Sequence, residues 1–338
     1  MNSRPHRSLP IFSLLAGAAT AATFAIPTTR ADLFGSGENL FEIEFVSIGA
    51  PGNVADTTGV PNPAGSVPYS YRIGKYEISE QMIHKANAAS AEVGAPLGIT
   101  IDQRGPDKPA TRASWFEAAQ FVNWLNTSKG STPAYKFDEN GSFQLWQPGD
   151  AGYDPENLFR NSLARYFLPS VDEWYKAAFY DPVAEVYFDF PNGSNTAPIP
   201  VASGTDPNTA IYNQAGPADI TLAGGPSPFG TVAQAGNVWE WEETEVDLVN
   251  ENPQDNRGFR GYAWFSISGN PIGLSSSGMH FILLPSNVGG DLGFRVASVP
   301  EPSSIWLSAV LLFALSGRKG SASNGTYLRF SAIKNLSF

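Results

Sequence analysis

Seven carboxylates, Glu240, Glu242, Glu243, Glu245, Asp247, Glu251 and Asp255, fall within sixteen residues that contain no base. A run of like charge is ordinarily a solvated face, so this stretch is expected at the surface. The alternative is loose capture of divalent cations, although the spacing is not that of an EF-hand. Trp239 and Trp241 flank Glu240 and read as core anchors rather than as a platform for a sugar ring. Cysteine is absent from all 338 residues, and His6, His84 and His280 are the only histidines. Thiolate nucleophiles, thiolate metal sites, iron–sulfur clusters and disulfides are therefore excluded. Two histidines and an acid could form a facial triad on paper, but the spacing of His84 and His280 lends it no support. Each reads instead as a surface or hydrogen-bonded structural residue, and neither lies in a hydrolase motif.

Charged residues make up 16 % of the chain, against roughly 25 % in ordinary soluble domains. Its 33 glycines and 27 prolines require many turns. Residues 32–300 hold 14 of the 21 bases but 31 of the 32 acids, a formal net charge of −17. Such a body repels nucleic acid and anionic surfaces, so no nucleic-acid partner is expected.

The ends are patterned differently. Arg4 and Arg7 precede a weakly polar stretch from Leu9 to about Ile26, and Thr29-Arg30-Ala31 offers a small residue before a cut. That order is expected of an export signal over residues 1–31, with Ala25 as an alternative cut. At the other end Pro300-Glu301-Pro302 precedes an apolar run from Ile305 to Leu315, followed by Arg318-Lys319. The strict apolar core is short for a membrane span, which needs roughly 20 residues. A buried helix of the main domain is the other reading.

Between these ends lies one α+β domain with short strands. FEIEFVSIG alternates with Phe41, Ile43 and Phe45 on one side, and YSYRIGKYEIS reads as a second strand. Ser79 opens a helix to about Ala89, and Ser114/Glu117 and Ser170/Glu173 have the spacing of capping boxes. Trp115, Ala118, Ala119, Val122 and Leu125 share one face of the second helix; Trp174, Ala177 and Ala178 point inward from the third. Residues 181–235 are dominated by loop residues, which implies functional loops, bound ions or loose surface.

Gly236-Asn237-Val238-Trp239-Glu240-Trp241 resembles the hallmark of the formylglycine-generating enzyme, or sulfatase-modifying factor, family. Tyr76-Glu77-Ile78-Ser79, Leu168-Pro169-Ser170 with Glu173-Trp174 and Lys176-Ala177-Ala178, Arg260-Gly261 before Trp264, and Gly293-Phe294-Arg295 resemble its other motifs in family order. The resemblance implies a single domain over residues 38–298 with a complex C-type-lectin-like topology, short strands, few helices and long loops. The segment 299–319 resembles a PEP-CTERM sorting signal, which implies an exported bacterial protein held at the membrane by an apolar helix until a sorting protease acts. The tail 320–338 departs from that pattern.

Members of the family that make formylglycine use two cysteines that bind copper, just after the segment that here reads Trp264-Phe265-Ser266-Ile267-Ser268-Gly269-Asn270. A serine hydroxyl neither binds soft copper comparably nor cycles redox, so that chemistry, and copper, are excluded. Iron is not expected either, since the histidine-bearing helical partner of related enzymes is missing. The resemblance implies calcium on Asn237 and Glu240 with nearby carbonyls, and a second site at Asn213 near the Asp219 loop. Alternatively Asn237 caps a turn and Glu240 pairs with Arg260 or Arg295. Tyr262, Trp264, Ser266 and Asn270 are candidates for lining a residual groove. The expected function is a non-catalytic binding or structural module at the cell envelope or matrix, with a polysaccharide or an envelope protein as partner. The alternative is an enzyme using a metal or carboxylate site in the same groove.

Overall fold

A computed structural model describes residues 29–265, 271–278 and 280–300 of the chain. In chain order the first strands are β1 (Thr29–Phe34), β2 (Phe41–Ile48) and β3 (Tyr71–Gly74). Helix α1 (Glu80–Glu92) and helix α2 (Trp115–Thr127) follow. Next come β4 (Lys136–Phe137), β5 (Phe143–Gln144), β6 (Tyr166–Phe167) and helix α3 (Val171–Phe179). Two-residue strands β7 (Tyr180–Asp181), β8 (Val186–Tyr187), β9 (Ile199–Pro200) and β10 (Thr209–Ala210) punctuate the loop-rich middle. The chain then forms β11 (Trp239–Glu245), β12 (Arg257–Arg260), β13 (Phe281–Leu283), β14 (Leu292–Gly293) and β15 (Ala297–Ser298).

Two sheets organise the domain. The first has the order β1-β2-β3-β15-β6 and is antiparallel throughout, so a strand from the very end of the domain is its fourth member. The second has the order β13-β12-β11-β14, with β14 parallel to β11. Strand β2 alternates as its sequence implies, burying Phe41, Ile43 and Phe45, but Val46 and Ile48 are buried as well. Strand β3 is shorter than its sequence suggests. It stops at Gly74, whose N–H turns to the Val296 carbonyl at 2.7 Å. Strand β1 straddles the expected cut after Ala31, and Asp32 pairs with Arg72 at 2.7 Å.

Helix α2 joins the sheets. Its buried Asn126 accepts the Arg165 and Tyr166 amides and donates to the Tyr166 carbonyl, fixing it to the first sheet. At its other end Trp115 Nε1 donates to the Glu242 carbonyl, and Trp241 Nε1 donates to Ala113 just ahead of the helix. The sequence face Trp115, Ala118, Ala119, Val122 and Leu125 is wholly buried. Both capping boxes form, with each serine hydroxyl accepting the N3 amide and each glutamate accepting the serine amide. Ser114→Ala is expected to cost about 1 kcal/mol of folding free energy in urea denaturation, since it leaves that amide of α2 without its acceptor.

Candidate functional site

The acidic run is not the solvated face that its composition suggests. Glu240, Glu242, Glu243 and Glu245 are at most 1 % exposed, while Asp247 and Glu251 face solvent. The buried carboxylates are compatible with a core because bases from distant elements meet them. Arg295 chelates Glu240 from the loop between β14 and β15. Arg260 of β12 lies 2.7 Å from Glu242, and Arg160 lies 2.7 Å from Glu243. Arg257 stands opposite Glu245 in the β11–β12 ladder. Its guanidinium also lies over Trp115 and Phe159, at 4.8 and 4.2 Å from the ring centroids. Burial pulls the Arg257 pKa down to about 10. None of these bases lies in the acidic run before Arg257, which is why local composition misleads.

Asn237 and Glu240 sit in the middle of this network. Asn237 adopts φ +63°, its Oδ1 accepts the Ala218 amide at 2.8 Å, and its Nδ2 donates to Glu77 at 2.6 Å. One oxygen of Glu240 accepts Trp174 Nε1 at 2.6 Å and Arg295 Nε at 2.5 Å, while the other accepts the second Arg295 nitrogen. These oxygens face N–H donors, and a guanidinium occupies the place a cation would need. The pair therefore does not suit Ca²⁺, which requires six to eight free oxygen ligands. Of the two readings open from sequence, the structure has Glu240 paired with Arg295 and Asn237 bracing the 218 turn. Asn213 lies exposed in a loop at φ +55°. Among the described residues no cluster of three or more His, Asp or Glu side chains could hold a metal.

Glu77 is the residue whose role the sequence did not disclose. It is 1 % exposed, and its Oε1 has no hydrogen-bond partner among the described residues. Burial, reinforced by the neighbouring Glu240 charge, pushes its carboxyl well above the usual range despite Arg295 and Asn237. A raised carboxyl binds its proton more tightly folded than unfolded. Its contribution to stability is therefore complete below the unfolded pKa near 4.5 and is lost as pH rises through the folded value. Glu77→Gln, which carries no charge at any pH, is expected to gain stability on the parent chain as pH rises from about 5 toward neutrality. Urea midpoints of both proteins across that range check the sign.

Of the four groove candidates, Ser266 and Asn270 lie outside the described residues. Tyr262 and Trp264 are brought together, but as packing elements. The Tyr262 ring packs edge-on against Trp239 at 5.3 Å and lies over Gly273, where a Cβ would approach the ring to 2.3 Å. Trp264 is 8 % exposed, its amide and carbonyl bonded to Asn237 and Gln214, and Arg104 covers its ring at 5.0 Å. Among the described residues, a space between Trp174, Arg260, Leu274 and Gly278 holds about 10 Å³, room for roughly one water. Beside it His280 Nε2 meets buried Glu242 at 2.6 Å, while His84 is exposed on α1. Burial alone would raise Glu242, but Arg260 and His280 outweigh it and hold the carboxyl below the usual range. The two histidines thus serve separate places, one of them structural.

Few helices, several small mixed sheets and long loops around a central ion-pair network define an α+β domain of the C-type-lectin-like kind. The chain belongs to the sulfatase-modifying factor enzyme 1-like domain family, whose profile matches residues 45–299. Its fold is similar to that of Treponema denticola variable protein 1, with a TM-score of 0.54, 18 % identity, and coverage of 81 % of this chain and 100 % of that one. It is also similar to the crystal structure of CarF, with a TM-score of 0.50, 18 % identity, and coverage of 77 % and 99 % respectively. A comparison with curated proteins returns no match. No described helix is long and apolar enough to cross a membrane, and the 301–319 segment lies outside the described residues.

Proposed function

We propose that this chain is an exported, non-catalytic member of its family, acting as a binding or structural module at the bacterial cell envelope or matrix. The observation that carries this reading is the absence of cysteine from the whole chain, which leaves no thiolate to bind copper or to undergo redox change in formylglycine formation. The site supports the reading from another side. Glu240, Glu242 and Glu243 are paired with arginines, and Tyr262 and Trp264 are packed among their neighbours. Partners of the envelope class, a polysaccharide or a surface protein, fit an acidic domain that repels nucleic acid. A cut after Ala31 would remove the first half of β1, Thr29 to Ala31, and keep Asp32 with its pairing to Arg72. A sorting protease acting near Pro300 would then decide whether the domain stays at the membrane.

Two measurements on the full chain test the proposal. Fractionation of expressing cells, with the mature N-terminus read by mass spectrometry, is expected to find the protein in the envelope or medium beginning near Asp32. Incubation with a cysteine-containing sulfatase peptide, copper and oxygen is expected to yield no aldehyde. Cytoplasmic retention of an uncut chain would overturn export, and aldehyde formation would overturn the non-catalytic assignment.

A further inference from the structure

Strand β1 is the outer strand of the first sheet and pairs with β2 over its whole length. Thr29, Arg30 and Ala31 stand opposite Val46, Phe45 and Glu44, and Asp32, Leu33 and Phe34 stand opposite Ile43, Glu42 and Phe41. The side chains of Thr29, Arg30 and Ala31 are exposed, so they add little apolar burial. Their contribution is made by the backbone. They cover the outer edge of β2 at Glu44, Phe45 and Val46, two of which are buried core residues. Without them that stretch becomes an open sheet edge, ready to pair with another chain.

Asp32 supplies an electrostatic argument for the same boundary. Its carboxylate is 9 % exposed, accepts Arg72 at 2.7 and 3.3 Å and Tyr166 Oη at 2.8 Å, and lies 3.7 Å from Arg165. One carboxylate thus serves two guanidinium groups. A cut after Ala31 would put an α-ammonium group on Asp32 itself, a third positive charge beside that carboxylate and near both arginines. A cut ahead of Thr29 leaves the cluster as it stands and the ladder complete. Of the two cuts that the sequence allows, only the one after Ala25 does so. Thr23-Phe24-Ala25 offers a small residue before the bond, as Thr29-Arg30-Ala31 does, and lies at the end of the weakly polar stretch that opens at Leu9. The later bond is separated from that stretch by Pro27 and Arg30, whereas a signal's cleavage site directly follows its apolar region. A signal protease acts on an extended chain and does not read the sheet. What the sheet decides is which product folds with β1 whole.

We infer that the export signal is cut between Ala25 and Ile26, so that the mature chain begins six residues ahead of Asp32 and carries all of β1. The step is hydrolysis by water, with Ala25 taking the new carboxylate and Ile26 the new ammonium group. The inference rests on the export reading and names the bond. The test is expression of the full chain in an exporting bacterial host, with the N-terminal peptide of the processed protein sequenced by mass spectrometry. Ile26 is the expected first residue. Ala25→Arg is expected to reduce processing about tenfold, whereas Ala31→Arg, at an exposed position of β1, is expected to be processed as the parent is. A first residue other than Ile26, or processing lost in Ala31→Arg and kept in Ala25→Arg, overturns the inference and leaves export standing. An uncut chain retained in the cytoplasm overturns both. In urea the product that begins at Ile26 is expected to unfold at a higher midpoint than one with the same C-terminus that begins at Asp32. Equal midpoints would overturn the place given to Thr29–Ala31 in the mature domain.

Discussion

Arg295→Met is expected to destabilise the domain by about 3–5 kcal/mol, the largest loss of any single substitution considered, because it leaves the Glu240 carboxylate buried without a counter-ion. Both partners are fully buried, and the Arg295 guanidinium also donates to the Gly74 and Val232 carbonyls. One side chain thus ties the β11 carboxylate to the end of β3 and to the 232 turn. Truncating it strands acceptors in three segments at once. The double variant Glu240→Gln/Arg295→Met removes the uncompensated charge and is expected to recover part of the loss. Urea unfolding of the parent, both single variants and the double variant gives the coupling directly. A single-variant loss below about 1 kcal/mol would mean that solvent reaches this pair.

Gly258→Ala is the second large effect. Glycine here is required by proximity, since an added Cβ would stand 2.0 Å from His280 Nε2 and 2.6 Å from Glu242 Oε2. The methyl group must push the imidazole off the carboxylate, combining overpacking with loss of a buried charge-assisted bond, for about 2–3 kcal/mol. Gly216→Ala serves as the control, because open space surrounds its Cβ position, and it is expected to stay within about 0.5 kcal/mol of the parent. Thermal unfolding of the two variants makes the comparison. Equal midpoints would show that the His280–Glu242 contact contributes nothing to stability.

Both predictions depend on residues whose types were visible from the start but whose meetings were not. The capping boxes of α2 and α3, the apolar face of α2 and the alternation of β2 were all legible, because capping and periodicity act within a few residues along the chain. The same local reasoning expected the acids from Glu240 to Glu245 at the surface. It erred because burial of a carboxylate is decided by its counter-ion, and these counter-ions come from Arg160, Arg260 and Arg295 on other elements. The family resemblance implied calcium at Asn237 and Glu240, with pairing of Glu240 to Arg260 or Arg295 as the alternative, and the structure pairs Glu240 with Arg295. What faces their oxygens is set by Ala218, Trp174 and Arg295, which no local pattern announces. Glu77 was seen only as part of a motif, since nothing adjacent in sequence signals that Glu240 lies beside it.

The cysteine count, fixed by composition alone, removes thiol and disulfide chemistry whatever the fold. Motif order likewise sufficed for the family, whose profile matches residues 45–299. Tertiary structure alone decided that the acidic segment is a core strand and that Tyr262 and Trp264 are packed rather than free. It also placed Thr29 to Ala31 opposite Glu44 to Val46 in the first sheet. The physical reason is range. Capping, turn and periodicity signals reach a few residues, whereas ion pairing and burial join residues that only the folded chain brings together.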